Sequence, residues 1–85
     1  MPYDLIFAPH AQRDLKRLDR QVRERVLNVL ERIRARPYEF AEKLVGEPSF
    51  KIRIGDIRAI IEINPQINRI DVLRIGHRTN IYDRL

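Results

Sequence analysis

The sequence predicts an α+β domain in which a two-helix hairpin packs on a largely antiparallel four-stranded sheet. Apolar and polar residues alternate near the N-terminus and again in three segments of the second half, which is the period of β-strands. Between these regions, apolar residues recur at helical spacing. The predicted order is β-α-α-β-β-β, with a short helical turn over residues 80–85. Residues 1–85 show no repeat or linker and are expected to form one domain.

A proline separates the opening strand from the first helix. The strand is predicted over residues 1–7, where side chains of alternating type face opposite sides of a sheet. Pro9 then begins the helix, because the first helical position needs no backbone N–H. Ala8 is a poor N-cap, so this boundary is weakly defined. The alternating strand residues are Tyr3, Leu5 and Phe7, and the apolar helical stripe is Ala11, Leu15 and Leu18.

The second helix is predicted between two strong local signals. Asp19 is a favourable N-cap, and Pro37 marks the end because proline interrupts helical hydrogen bonding. The two helices are then joined by a short linkage and form a hairpin. The apolar positions of the second helix are Val22, Val26, Val29, Leu30 and Ile33.

The helical region is rich in arginine, and two interpretations are open. The arginines form a basic platform that docks on nucleic acid, or they lie on a solvated face and pair with acids, as in Asp19 with Arg23 and Arg20 with Glu24. We favour the solvated face for most of them, although the excess cations still favour encounter with nucleic acid. The residues concerned are Arg13, Arg17, Arg20, Arg23, Arg25, Arg32, Arg34 and Arg36.

The second half is predicted to begin with an irregular segment and to end with three strands. Gly46 and Pro48 interrupt any regular element between Tyr38 and Ser49. Gly55-Asp56 is a two-residue link of the kind found in tight hairpins. Asn64-Pro65-Gln66 separates the last two strands. The predicted strands span roughly residues 49–54, 57–63 and 68–76.

The composition indicates an acidic partner. The chain has 17 basic and 12 acidic residues, a formal net charge of +5 and a pI near 10.2. Such a charge favours nucleic acid, an anionic membrane surface or an acidic protein. The absence of cysteine excludes disulfides and thiolate metal sites and fits an intracellular setting. No signal peptide or membrane span is visible, so we expect a cytoplasmic protein with no membrane partner.

Three cations are expected to meet on one face of the sheet. Lys51 and Arg53 alternate with apolar residues and therefore project from the face opposite the core. The hairpin at Gly55-Asp56 brings Arg58 back beside them. Edge strands also carry lysine and arginine to discourage aggregation, which accounts for Lys51 and Arg53 better than for Arg58. We favour a functional cluster suited to a phosphodiester.

Histidines and carboxylates give no sign of a metal site or of a bound cofactor. His10 and His77 lie in different elements without the spacing of metal ligands. His77 lies next to the cations, and it either assists proton transfer or shapes the strand end; the second interpretation is preferred. Metal-dependent nuclease chemistry is therefore disfavoured. The carboxylates considered, which show no paired arrangement in the sequence, are Asp56, Glu62, Asp71 and Asp83.

Four segments together resemble the RelE/ParE superfamily of type II toxins. They are Lys43–Gly46, Phe50–Arg58, Leu73–Arg78 and the single residue Tyr82. Each motif is weak alone, but their order and spacing fit the family over essentially the whole chain. The resemblance implies a single RelE-like domain. It also implies one of two activities, since RelE-like members cut mRNA in the ribosomal A site and ParE-like members poison DNA gyrase.

The resemblance implies five catalytic residues, and all five positions carry a suitable side chain. By motif position they are Lys51, Arg53, Arg58, Arg78 and Tyr82. Arg53 and Arg58 would stabilise the charge that develops at phosphorus, and Lys51 would be the base. Arg78 would act at the leaving oxygen, and Tyr82 would stack on a base beside the cut.

The predicted function is a ribosome-dependent, metal-independent endoribonuclease toxin that needs no cofactor. The resemblance also implies a RelB-like antitoxin that neutralises it in a heterodimer or heterotetramer, with the ribosome and mRNA as further partners. Two alternatives stay open: a ParE-like gyrase inhibitor that is not a nuclease, and an inactive toxin relic with a binding or regulatory role. The retained Lys51, Arg53, Arg58 and Tyr82 favour the nuclease, because gyrase poisoning does not require them.

Overall fold

The computed structural model describes residues 2–77, and its order of long elements confirms the prediction. The expected C-terminal helical turn and the predicted site residues Arg78 and Tyr82 lie outside the described residues. A 3₁₀ turn, Pro65–Ile67, links the last two strands. The other elements are β1 (Asp4–Phe7), α1 (Pro9–Arg17), α2 (Arg20–Ile33), α3 (Pro37–Phe40), β2 (Glu42–Lys43), β3 (Phe50–Ile54), β4 (Ile57–Asn64) and β5 (Arg69–His77).

The sheet has five strands in the order β1-β5-β4-β3-β2. Strand β1 runs parallel to β5 and the other neighbours are antiparallel, so the largely antiparallel α+β prediction is confirmed. The predicted number of strands is wrong by one. The additional strand, β2, has two residues and pairs with the start of β3. Two residues are too few to show the alternation from which strands are predicted.

The segment before β3 is more regular than predicted. Pro37 does follow the end of α2, but it also begins the four-residue helix α3, for which its fixed φ is suited. Gly46 has a φ of 75°, a left-handed conformation that favours glycine, in the turn between β2 and β3. Within residues 2–77, no helix is long and apolar enough to cross a membrane.

The core lies between the helices and one face of the sheet. Val26, Leu30 and Ile33 of α2 are almost fully buried and pack with the inward residues of the three long strands. Burying such a side chain contributes roughly 1.5–3 kcal/mol. The buried strand residues are Ile52 and Ile54 of β3, Ile57, Ala59 and Ile61 of β4, and Ile70, Val72 and Ile75 of β5.

Both helices begin at the predicted positions, but the predicted side-chain cap at Asp19 does not form. Asp19 occupies the N-cap of α2, yet its side chain makes no capping hydrogen bond. Its backbone carbonyl instead accepts from the Arg23 N–H at 2.8 Å. The Arg23 guanidinium donates to the carbonyls of Leu15 and Leu18, both at 3.4 Å, rather than pairing with Asp19. Arg23 thereby ties the end of α1 to the start of α2.

Asp14 of α1 takes the place of a strand neighbour beside the second half of β5. The pairing of β1 with β5 ends at Phe7 and Val72, which leaves the following residues of β5 without a strand on that side. Asp14 accepts a hydrogen bond from the Ile75 N–H at 2.8 Å and another from Arg74 Nε at 2.9 Å. Burial acts to raise the pKa of Asp14, but the bonds from Arg74 and Ile75 and the charges of Arg74 and His10 hold that pKa below its ordinary value.

Candidate nucleic-acid site on the outer face of the sheet

The face of the sheet turned away from α1 and α2, called here the outer face, gathers three predicted site residues. Lys51 and Arg53 alternate with the buried Ile52 and Ile54 along β3, so they project from the outer face. Arg53 pairs directly with Arg58 in the β3–β4 register. The structure therefore brings Lys51, Arg53 and Arg58 together, as the sequence predicts.

The hairpin between β3 and β4 sets this register. Ile54 pairs with Ile57, so Gly55 and Asp56 form a two-residue link, as predicted. Gly55 has a φ of 61° at the first position of the link, where a side chain would be strained. A shift of the register by one residue would move Arg58 to the core face.

Arg58 is the most deeply buried of the three cations. Its residue is 4% exposed, and its Nη1 donates to the carbonyl oxygens of Gly55 at 2.6 Å and Ile57 at 3.0 Å. Its Nε is also buried, and it has no hydrogen-bond partner among the described residues. Arg58 has no ion pair with a described carboxylate either. A buried cation of this kind is costly in a resting protein, and an anion would satisfy it.

Two features of the outer face raise the electrostatic cost further. Directly opposed side chains in an antiparallel pair have Cβ atoms about 4.5–5.5 Å apart, and like charges there are destabilising. Arg53 and Arg58 form such a pair. Ile60, opposite Lys51, is fully buried and gives this part of the face an apolar floor. Charges next to apolar surface interact more strongly than charges in water.

Glu42 is a carboxylate at this site that sequence reasoning missed. It pairs with Lys51 across β2 and β3. Its Oε2 lies 3.6 Å from Lys51 Nζ, and its Oε1 lies 3.7 Å from Arg53 Nη1. Strand β2 has no periodic pattern, so the sequence does not predict that Glu42 lies on the outer face.

The position of β2 also bears on the edge-strand interpretation of the cations. Because β2 pairs with Phe50 and Lys51, β3 is not the edge of the sheet at Lys51. Protection of an open edge therefore does not account for Lys51. Arg53 lies beyond the two residues of β2 that pair with β3.

Two further carboxylates meet at the other end of the outer face. Glu62 of β4 stands opposite Asp71 of β5, a pairing that the sequence did not reveal. Asp71 is also paired with Arg69 at 3.2 Å, which offsets part of this negative charge. Among residues 2–77, no group of three histidines, cysteines or carboxylates is arranged to hold a metal ion.

His77 lies on the wrong face for proton transfer at the cations. It pairs with Ile57, whose side chain is in the core, so His77 projects from the helix-facing side at the exposed end of β5. Arg58 pairs with the preceding Gly76 and projects from the outer face. The preferred interpretation of His77, at the end of the strand, fits this placement.

Several helical arginines form the ion pairs expected of a solvated face. Arg20 pairs with Glu24 at 3.5 Å, as predicted, and Arg36 pairs with Glu39 at 3.3 Å. Arg34 pairs with Glu31 and also donates to the Tyr3 carbonyl at 2.6 Å, which ties α2 to the residue preceding β1. Exposed pairs contribute little stability, so these contacts mainly neutralise charge.

Comparisons with known proteins agree with the α+β fold described above. A family model described as the ParE toxin of type II toxin–antitoxin systems, parDE, matches residues 5–82. A chain of the RelBE2 toxin–antitoxin complex from Mycobacterium tuberculosis is 26% identical, with a TM-score of 0.85 over 92% of this chain and 100% of that one. The isolated Escherichia coli RelE toxin is also 26% identical, with a TM-score of 0.79 over 95% of this chain and 92% of that one.

A third solved structure has the same fold. The YoeB/ParE toxin from Agrobacterium tumefaciens is 17% identical, with a TM-score of 0.73 over 88% of this chain and 98% of that chain, and this similarity shows the fold alone. No curated protein gives a significant sequence match. The family model spans nearly the whole chain, and the solved RelE structures share its architecture. This chain therefore belongs to the ParE toxin family and is a RelE/ParE-superfamily toxin of a type II toxin–antitoxin system.

Proposed function

We propose that this toxin is a metal-independent endoribonuclease that cleaves mRNA in the ribosomal A site and thereby inhibits translation. The observation that carries this proposal is the buried Arg58, whose Nε has no partner among the described residues and which stands opposite a second arginine. This arrangement is costly for a protein without an anionic ligand. A phosphodiester supplies the missing negative charge.

In the proposed reaction a ribose 2′-hydroxyl attacks the adjacent phosphorus and the bond from that phosphorus to the 5′-oxygen breaks. The products are a 2′,3′-cyclic phosphate and a 5′-hydroxyl, which takes its proton from solvent. Arg58 and Arg53 stabilise the negative charge that builds up on the phosphate oxygens. Arginine stays protonated at neutral pH, so both remain cationic throughout the reaction. The bonds from Arg58 Nη1 to two backbone carbonyls hold the guanidinium in place before substrate arrives, which reduces the cost of orienting it.

Glu42 offers an alternative to Lys51 as the proton acceptor. The Glu42 carboxylate lies 3.6 Å from Lys51 Nζ, and a carboxylate can act as a general base. In this proposal Lys51 binds a phosphate oxygen, and Glu42 accepts the proton of the 2′-hydroxyl. Arg78 and Tyr82 keep the roles implied by the family resemblance, at the leaving oxygen and in base stacking.

A second function is favoured by one specific observation. The matching family model describes ParE toxins, and ParE-like members inhibit DNA gyrase without cutting nucleic acid. Such a toxin recognises a protein surface and has no need of a buried guanidinium that forms no ion pair with the described carboxylates. The outer face therefore favours the nuclease over the gyrase inhibitor.

The proposed partner is a RelB-like antitoxin, in a heterodimer or heterotetramer. Several similar structures are complexes of RelE with RelB. A net charge of +5 suits an antitoxin segment that is acidic and folds on binding. We place the toxin in the cytoplasm, where translating ribosomes present mRNA.

Primer extension on an mRNA in a reconstituted translation reaction tests the nuclease. We expect cuts within A-site codons with the wild-type toxin and none with Arg58→Ala. Arg20→Ala is the matched control, since it removes an exposed arginine already paired with Glu24. An intact message in the presence of folded wild-type toxin would contradict the proposal, and loss of gyrase supercoiling in a parallel reaction would establish the alternative.

A further inference from the structure

A polar groove runs along the side of α2, outside the cation cluster described above. It has a volume of about 490 Å³, and Arg25, Asn28 and Arg32 lie along it. Arg25 and Arg32 are seven residues apart, which places them two helical turns and about 10.5 Å apart along the axis. All three side chains are on exposed residues and carry hydrogen-bond donors.

The charges of Arg25 and Arg32 are not neutralised by described neighbours. Other arginines of this region pair with acids, as Arg20 does with Glu24. Among residues 2–77, Arg25 and Arg32 form no ion pair. Glu24 also borders the groove, but its carboxylate is engaged by Arg20. The groove therefore offers two uncompensated guanidinium groups to an anionic ligand.

The groove connects with the outer face at the β3–β4 hairpin. The guanidinium of Arg25 lies against Gly55, with its Nη1 3.1 Å from the position that a Cβ atom would occupy there. The carbonyl of the same glycine accepts a hydrogen bond from Arg58 Nη1 at 2.6 Å. Guanidinium groups from α2 and from β4 thus approach one residue from two elements. A polyanion bound at Arg58 would reach Arg25 by passing this glycine.

We propose that this groove binds the backbone of the message strand beside the cleaved phosphodiester, an inference that rests on the proposed nuclease function. Arginine forks bind phosphate oxygens in a bidentate manner, and an asparagine amide donates to phosphate or sugar oxygens. Such contacts position a strand without reading its sequence. The groove would hold the flanking nucleotides while the outer face acts on the scissile bond.

Fluorescence anisotropy with a labelled single-stranded RNA tests the groove without requiring cleavage. The RNA carries 2′-O-methyl groups, which remove the attacking hydroxyl. The test variant is Arg25→Ala/Arg32→Ala. The matched control is Arg13→Ala/Arg17→Ala, which removes two exposed arginines of α1 that also lack an ion pair among residues 2–77. We expect the test variant to lose about tenfold in affinity, and the salt slope to fall by about 1.4 for two lost phosphate contacts.

A conservative substitution and a measurement of folding together separate a role in RNA binding from a role in folding. Arg25→Lys/Arg32→Lys keeps both charges and should retain most of the affinity, and circular dichroism should be unchanged in every variant. Equal losses in the test and control variants would show a general electrostatic effect and overturn the groove. Unchanged RNA binding in the test variant, with weakened binding of the antitoxin, would assign the groove to a protein and overturn it as well.

The outcome is distinguishable from failure of the nuclease proposal. Cleavage is read separately by primer extension in the translation reaction. A loss of RNA affinity in Arg25→Ala/Arg32→Ala, with no cleavage by wild type, would support the groove as an RNA contact and reject the nuclease. Normal cleavage by wild type with unchanged RNA affinity in the variant would support the nuclease and reject the groove.

Discussion

Arg53 and Arg58 stand directly opposite each other across the β3–β4 hairpin, one largely exposed and the other buried. The Arg53 side chain is 60% exposed and lies 3.7 Å from Glu42. Arg58 donates only to backbone carbonyls among its described contacts. The exposed member is partly neutralised by Glu42, while the buried member has no ion pair within residues 2–77.

This asymmetry predicts that Arg58 contributes to activity more than to stability. Arg58→Met replaces the buried cation with an apolar chain of similar length. We expect cleavage to fall more than 100-fold, because a charge-stabilising donor is lost. The free energy of unfolding should fall by less than about 1 kcal/mol or should rise, because buried charges are often replaced without loss. Urea unfolding beside primer extension measures both.

Arg53→Met is the control for that comparison. Arg53 is exposed, so its removal should leave the unfolding free energy within about 0.5 kcal/mol of wild type. If Arg58→Met instead lost several kcal/mol of stability and inactivity merely followed unfolding, the buried guanidinium would have a structural role.

The sequence predicted the long elements because each has a strong local signal. The strict alternation around Lys51 and Arg53, followed by Gly55-Asp56, determines the hairpin register and therefore the position of Arg58. The sequence does not predict the position of Glu42 beside Lys51, because its two-residue strand forms only through contact with β3. The cap at Asp19 was predicted from residue type, whereas the actual hydrogen bonds there come from the Arg23 backbone and side chain. In the first case the deciding contact is the pairing of β2 with β3, and in the second it is the contact of the Arg23 side chain with the end of α1.

The lowered pKa of Asp14 predicts that the free energy of unfolding falls in acid. Its pKa is lower in the folded protein than the ordinary value of 3.8. A depressed folded pKa contributes stability that is fully present above the unfolded pKa and is lost as the pH falls through the folded pKa. Asp14→Asn keeps an acceptor for Ile75 but removes the charge, so we expect it to lower the free energy of unfolding at neutral pH.

Urea unfolding at a series of pH values measures this effect. The difference between wild type and Asp14→Asn should be constant from pH 7 down to about pH 5 and should shrink at lower pH. A difference that stayed constant down to pH 2 would mean that the charge of Asp14 does not stabilise the fold. Glu47→Gln, at an exposed residue between β2 and β3, is the control for removing a carboxylate that has no ion pair within residues 2–77.

Gly55 and Gly46 provide a matched pair of glycines. Both have positive φ, 61° and 75°, so an alanine at either position should cost about 1–2 kcal/mol through backbone strain. Nothing lies within 4 Å of a Cβ at Gly46, whereas a Cβ at Gly55 would meet the Arg25 guanidinium at 3.1 Å. Gly55→Ala should therefore displace Arg25 as well as strain the turn.

Thermal unfolding and RNA binding together separate the two effects. Gly55→Ala and Gly46→Ala should have similar unfolding free energies, since the flexible end of Arg25 can move at little cost. Only Gly55→Ala should also weaken RNA binding, by an amount that disappears in an Arg25→Ala background. Equal RNA binding by the two alanine variants would mean that contact with Gly55 does not position Arg25.

Glu42 should affect binding and catalysis in opposite directions. Glu42→Gln removes a negative charge from the side of Lys51 and Arg53, so we expect RNA to bind with equal or higher affinity. If Glu42 is the proton acceptor, the same change should slow cleavage by roughly 10²–10⁴-fold. Glu39→Gln makes the same charge change at a residue that pairs with Arg36, and it should alter neither property. Single-turnover cleavage of mRNA in the reconstituted translation reaction measures catalysis, and anisotropy with the 2′-O-methyl RNA measures binding. A Glu42→Gln variant that cleaves at the wild-type rate would return the role of base to Lys51.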